Sequence, residues 1–115
     1  MIKCQIKLYI LLFNKITLVY DILSLQSDSL VVPTITPKAN NSIEKVLAET
    51  FKDYVDLEPR YTNFVLSDIN INNEILTINY FCLVPYSTNI KQSFLIPIYP
   101  HEVSSVAIGK ILSKL

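Results

Sequence analysis

The segment NNSIEKVLAETFKDYVDLE, Asn40 to Glu58, decides how the rest of the chain is read. Ile43, Val46, Leu47, Thr50, Phe51 and Tyr54 recur at helical spacing, which puts them on one apolar stripe. Asn41 is the expected N-cap, and Glu44 completes a capping-box pattern with it. Pro59 forbids much continuation, so the helix is expected to run from Asn41 to about Val55. Its other face carries Lys45, Glu49, Lys52 and Asp53, with the two acids one turn apart. Those acids either hold a metal ion or face water and pair with the lysines along the helix.

An apolar stripe needs a surface to pack on, and the flanking segments supply strands. KCQIKLYILLF (residues 3–13) begins in alternation and ends continuously apolar, as a strand entering the middle of a sheet does. ITLVYDILSL (residues 16–25) reads as its hairpin partner, with the turn at Asn14 and Lys15. LVVPTI is a short strand expected to end at its prolines, and TPKANN is the loop into the helix. Beyond the helix, NFVLSDINI and EILTINYFCLVPY form a second hairpin, with Asn72 and Asn73 at the turn. SFLIPIY is a further strand. Pro100 is expected to open a second helix, with Val103, Val106, Ala107, Lys110 and Ile111 on one face and Ile108, Leu112 and Leu115 on another strip. The order is β-β-β-α-β-β-β-α. The expected architecture is α/β, a mixed sheet flanked by two helices, in a single domain over residues 1–115.

Composition removes several function classes. Half of the 115 residues are apolar, and ten basic residues balance ten acidic ones. No bulk charge steers such a chain onto nucleic acid or an anionic membrane. Gly109 is the sole glycine, so neither a P-loop nor a GxGxxG fingerprint exists. The abundance of Ile, Asn, Lys and Tyr matches A+T-rich coding, as in many viral, organellar or parasite genomes. The N-terminal run KLYILLFNKITLVYDILSL is interrupted by Asn14 and Lys15 into pieces too short to span a bilayer, which takes about 20 residues. No small-residue cleavage site follows it, so a signal peptide is not expected.

Cys4 and Cys82 are the only cysteines and lack metal-ligand spacing. They read as two buried thiols of a reducing compartment, with a single disulfide as the alternative. A catalytic pair of Cys82 with His101, the only histidine, is weighed against core packing of Cys82, which its apolar strand favours. Ser104 and Ser105 read as helix surface rather than nucleophiles. Arg60 and Tyr61, in EPRYTN, form a candidate contact surface, because Arg and Tyr are favoured at interfaces.

The element order and the proline-containing loop before the first helix resemble the Nudix hydrolase fold, over nearly the whole chain. That family's motif is a glycine, five residues, a glutamate, seven residues, Arg-Glu, an apolar residue, any residue, Glu-Glu, any residue, glycine. Its glutamates hold divalent metal against a diphosphate. With Glu49 on the first helical glutamate, Thr34 takes the opening glycine's place and Asn40 that of the upstream glutamate. Ala48 then replaces the arginine, Lys52 and Asp53 the paired glutamates, and Val55 the closing glycine. Only Glu49 is identical.

Lys52 puts a positive charge where the resemblance implies a ligand, and magnesium sites depend on carboxylate oxygens. The expectation is therefore a Nudix-like domain without catalytic residues or cofactor. It would act as a structural or assembly module in a larger protein complex of viral type. Its partners would be other proteins or further copies of itself, and its place the cytoplasm or a virion, not the secreted fraction. The alternative is a divergent magnesium-dependent hydrolase of nucleoside diphosphate derivatives that uses Glu49 and Asp53. A third possibility is a ligand-binding domain that keeps the pocket without the chemistry.

Overall fold

A computed structural model describes residues 2–115. In chain order it contains β1 (Lys3–Asn14), β2 (Val19–Ser24), β3 (Thr34–Ile35), α1 (Ile43–Tyr54), β4 (Val65–Asn72), β5 (Ile75–Val84), β6 (Phe94–Ile98) and α2 (Val106–Leu112). Short 3-10 turns lie at Pro59–Tyr61 and Pro100–Glu102. The expected order is the observed one. The sheet runs β4-β5-β1-β2-β6, with β3 also paired to β1. β1 and β5 are parallel, while β2, β3, β4 and β6 join by antiparallel pairing, so the sheet is mixed. No helix among the described residues is long and apolar enough to cross a membrane.

β1 is central and buried on both faces, which is why its sequence turns continuously apolar. Ile6, Leu8, Ile10 and Leu12 point to one side, where they pack with Leu47, Phe51, Val55 and Cys82. Tyr9 and Leu11 point to the other and pack with Ile22, Phe81, Ile108 and Ile111. Each helix therefore covers its own face of the sheet. The stripe expected on α1 is the buried one: Val46, Leu47 and Phe51 are buried, and Ile43 and Tyr54 pack at its margin.

Several boundaries differ from the sequence reading. Ser42, not Asn41, caps α1: its hydroxyl accepts from the Lys45 amide at 3.1 Å, whereas the Asn41 amide donates to the Lys38 carbonyl. The β3 ladder begins after Pro33 rather than ending at it, because proline has no N–H to give; its carbonyl instead accepts from Leu8. The β4–β5 turn falls on Asn73 and Glu74, which take positive φ, one residue later than expected.

Pro100 opens only a 3-10 turn, and α2 starts at Val106 with Ser105 as its cap. A serine whose hydroxyl can bond backbone amides competes with helix continuation, and Ser105 does so by accepting from Ile108 at 3.4 Å. In consequence Ile108 and Ile111 are the buried residues of α2, while Val106 is 71% exposed and Lys110 is exposed. The first hairpin turns later than expected: Asn14 is the last residue of β1, paired with Val19, and residues 15–18 form the loop with Leu18 at positive φ, so Ile16 and Thr17 lie in the turn rather than in β2. The buried Asn14 side chain accepts from the amides of Ile16 and Thr17 at 2.9 and 3.2 Å and donates to Tyr86 and Asp21.

Candidate functional site

The resemblance directs attention to α1. Glu49 and Asp53 both stand exposed on it, as do Lys45 and Lys52. The expected pairing along this face does not form: among the described residues no ion pair joins these four, because the solvated side chains gain too little to be held in one geometry. Asn40 and Thr34 are exposed as well, and the Thr34 hydroxyl is turned onto the Val32 carbonyl at 3.2 Å.

The C-terminal end of α1 is strapped by the β5–β6 loop. Val55, at the closing glycine's place in the resemblance register, is 1% exposed and forms a β-bridge with Ile90. Its backbone is extended, at φ −128° and ψ 130°, which any residue adopts, so nothing there calls for glycine. On either side of this bridge the Asp56 amide donates to the Asn89 carbonyl and the Lys91 amide to the Tyr54 carbonyl, at 2.9 and 2.8 Å. The Lys91 ammonium donates to the Lys52 carbonyl at 3.1 Å. Two lysines thus stand at the negative end of the helix dipole, where cations are stabilising. With Lys52 between Glu49 and Asp53, this donor set does not fit a magnesium ion, which requires hard, near-octahedral oxygen donors. Among the described residues no group of three or more His, Cys, Asp or Glu side chains comes together in a way that could hold a metal.

The same helix end borders a hollow of about 330 Å³ lined by Lys52, Asp56, Glu58, Tyr61 and Lys91. The structure therefore brings Tyr61 beside the end of α1. Tyr61 is 67% exposed, and the Arg60 guanidinium lies 4.9 Å from its ring centroid, a cation–π pair at the surface. Glu49 and Asp53 do not line that hollow.

Cys82 packs in the core on the α1 side, and burial pushes its thiol up to about 12, only partly offset by a hydrogen bond with Thr62. A thiol so far from ionisation is no nucleophile near neutral pH. His101 stands at the surface beside Glu102, 3.6 Å away, so Cys82 and His101 do not form a catalytic pair. Cys4 and Cys82 are both free, which removes the disulfide alternative; Cys4 is half-buried rather than buried.

A polar cavity on the α2 side of the sheet was missed by the sequence reading. It measures about 420 Å³ and is lined by Gln5, Lys7, Asn70, Asn72, Thr77 and Asn79 among others. Asn79 is 2% exposed; its amide donates to Asp68 at 2.9 Å, while its oxygen has no partner. Burial raises the Tyr9 hydroxyl here, with the Asp68 carboxylate adding to the effect. The signal was present in QIK, NIN and TIN, where polar side chains alternate with isoleucine and so fall on one face.

No family profile matches the sequence, and no curated protein matches it. Solved structures do. A MutT/nudix family protein from Enterococcus faecalis superposes with TM-score 0.62 at 12% identity, over 89% of this chain and 46% of that one. A C. elegans Ap4A hydrolase in a binary complex gives TM-score 0.61 at 8% identity, over 98% and 94% of the two chains. The structure of the complex between the C-terminal domain of mouse MUTYH and human PCNA contains a chain with TM-score 0.62 at 13% identity, over 96% and 85%. This chain therefore spans less than half of the Enterococcus faecalis protein. At such identities the likeness concerns architecture alone, and the architecture of this chain is the Nudix-like fold.

Proposed function

We infer that this is a non-catalytic Nudix-like domain serving as a structural or assembly module, in contact with other proteins or with further copies of itself. The observation that carries the reading is the end of α1. Where the family's pattern has paired glutamates and a glycine, this chain has Lys52, Asp53 and a buried Val55 bridged to Ile90, with Lys91 laid across the Lys52 carbonyl. Diphosphate hydrolysis in a metal enzyme depends on the dication to stabilise the leaving oxygens. Two lysines at this helix end oppose that dication, and the strap holds Lys91 there. The surface pair Arg60 and Tyr61 is a proposed contact site. The proposed setting is viral, in the cytoplasm or a virion; the abundance of Ile, Asn, Lys and Tyr agrees with that source, as it does with organellar or parasite genomes.

The reading is tested by calorimetry with magnesium and manganese, together with phosphate release from a panel of nucleoside diphosphate compounds. The expected result is no tight metal binding and no turnover. Turnover that Glu49→Gln abolishes would replace this reading with the hydrolase that uses Glu49 and Asp53.

A further inference from the structure

Strand β4 forms one edge of the sheet, and sheet edges are normally guarded, because unpaired N–H and C=O groups recruit other strands. β4 is guarded at one end only. The ladder shifts register between Leu66 and Asp68, and the Lys114 ammonium donates to the Ser67 carbonyl. From Asp68 to Asn72 the strand is regular, and it carries two exposed isoleucines, Ile69 at 55% and Ile71 at 64%. Both lie on the α1 side of the sheet, opposite Ile78 and Leu76 of β5.

The hydrogen-bond phase of this stretch follows from its hairpin. Asn73 and Glu74, with φ 51° and 62°, make a two-residue loop of the type I′ kind, closed by the pair Asn72 and Ile75. The closing pair exchanges both backbone bonds, and such pairs alternate along an antiparallel ladder. Asn72 and Asn70 therefore spend their backbone groups on β5. Ile71 and Ile69 turn theirs outward, to the open edge.

We propose that this edge is a self-pairing surface, on which a second copy of the chain docks β4 against β4 antiparallel about a two-fold axis at Asn70. In that register Ile69 meets Ile71 of the other copy, and Ile71 meets its Ile69. These are the residues whose N–H and C=O groups point outward, so each pair closes two backbone bonds. Four isoleucines then form one apolar strip on the α1 side. On the other side Asn70 faces its own mate, and Asp68 faces Asn72, so no like charges are opposed. Shifting the register by one residue would set outward-pointing groups against inward-pointing ones and place isoleucine against asparagine. The matched stretch is five residues on each chain, and the bulge with Lys114 stops it from growing. Such a contact belongs to the small class of interfaces, under about 1,200 Å², and gives a reversible dimer rather than a permanent one. The dimer names the partner within the assembly reading and rests on it. A strictly monomeric chain would sink the dimer while leaving the metal calorimetry, which tests that reading, untouched.

The test is sedimentation equilibrium of the wild-type chain and of Ile71→Pro. Proline at this position removes only an edge-facing N–H, which edge strands tolerate. The wild type is expected to dimerise reversibly, and Ile71→Pro to weaken the dimer at least tenfold with an unchanged circular dichroism spectrum. A wild type that stays monomeric at millimolar concentration, or a dimer indifferent to Ile71→Pro, overturns the proposal. Should Ile71→Pro fail to fold, cysteine cross-linking in a Cys4→Ser background decides. Asn70 faces its mate across a non-hydrogen-bonded pair, about 4.5 Å apart at Cα, within disulfide reach. Asn70→Cys should cross-link readily and Ile69→Cys poorly; equal cross-linking, or none by Asn70→Cys, refutes the register.

Discussion

Replacing Val55 by glycine restores the residue that the Nudix pattern has at that place, and the structure says the exchange harms the protein. The Val55 side chain is 1% exposed and belongs to the cluster that includes Leu47, Phe51 and Cys82. Three buried carbons are lost, at about 0.8 kcal/mol each, or about 2.4 kcal/mol of transfer free energy. The extended backbone at φ −128° gains nothing from glycine, and the freer unfolded chain costs about 0.5 to 1 kcal/mol more. The sum is about 3 kcal/mol before any cavity term. At an unfolding entropy of about 2.1 cal/mol/K per residue, the 115 residues give about 240 cal/mol/K, so the melting midpoint should fall by roughly 12 °C. With no tryptophan and seven tyrosines, far-ultraviolet circular dichroism in urea and on heating is the suitable assay. A loss below about 1 kcal/mol would show that Val55 does not plug the helix end, and the argument built on that plug would fail.

Glu49→Gln, on the exposed face of α1, should leave the urea midpoint within about 0.5 kcal/mol of wild type and leave the protein's function intact; a larger loss would mean the carboxylate has a partner that water does not replace. Asn14→Ala removes four hydrogen bonds, three within the first hairpin and one to Tyr86, and should cost about 1 to 3 kcal/mol by urea unfolding at unchanged m-value; a smaller effect would deny that this side chain sets the turn. The Cys82 thiol ionises near 12 when folded against an ordinary value of 9.0, so stability from this group is whole below pH 9 and is lost as pH rises from 9 towards 12, by about 1.4 kcal/mol per pH unit. Cys82→Ala should flatten that stretch of the stability–pH curve, and an unchanged slope would place the thiol elsewhere than in the core.

What was legible in the sequence followed from burial period. β1 could be recognised because both its faces are covered, so its apolar run is continuous; the stripe of α1 could be recognised because one face only is covered. Caps and short strands were less legible, because they are chosen by small local competitions. Asn41 and Ser42 are both good caps, and only the hydrogen bond from Lys45 decides for Ser42. Pro100 is a fair helix opener, yet Ser105 offers a better one five residues later, and Val103 stays extended between them. The polar cavity at Asn79 was hidden because alternating asparagine and isoleucine reads as a half-solvated strand whether or not its polar face is later roofed. Glu49 and Asp53 could be located on the helix face from spacing alone, but the β5–β6 strap over the helix end comes from residues more than thirty positions away and left no local mark.

That strap bears most heavily on which ions the end of α1 can hold. A helix C-terminus carries about half a negative charge, and a lysine placed there contributes roughly 0.3 to 1 kcal/mol at the surface. Lys52 and Lys91 both use that field, and Lys91 also satisfies the Lys52 carbonyl, one of the last four that α1 cannot bond internally. A divalent cation would compete with both ammonium groups for the same region. Lys52→Glu alone would still leave Lys91 bound to the backbone at the helix end. Removing Lys91 as well would unpair that carbonyl and weaken the strap whose bridge buries Val55. The contacts that strap this end of the helix are thus the same ones that oppose a metal, so a variant with an acidic helix end and no Lys91 is expected to be a less stable protein.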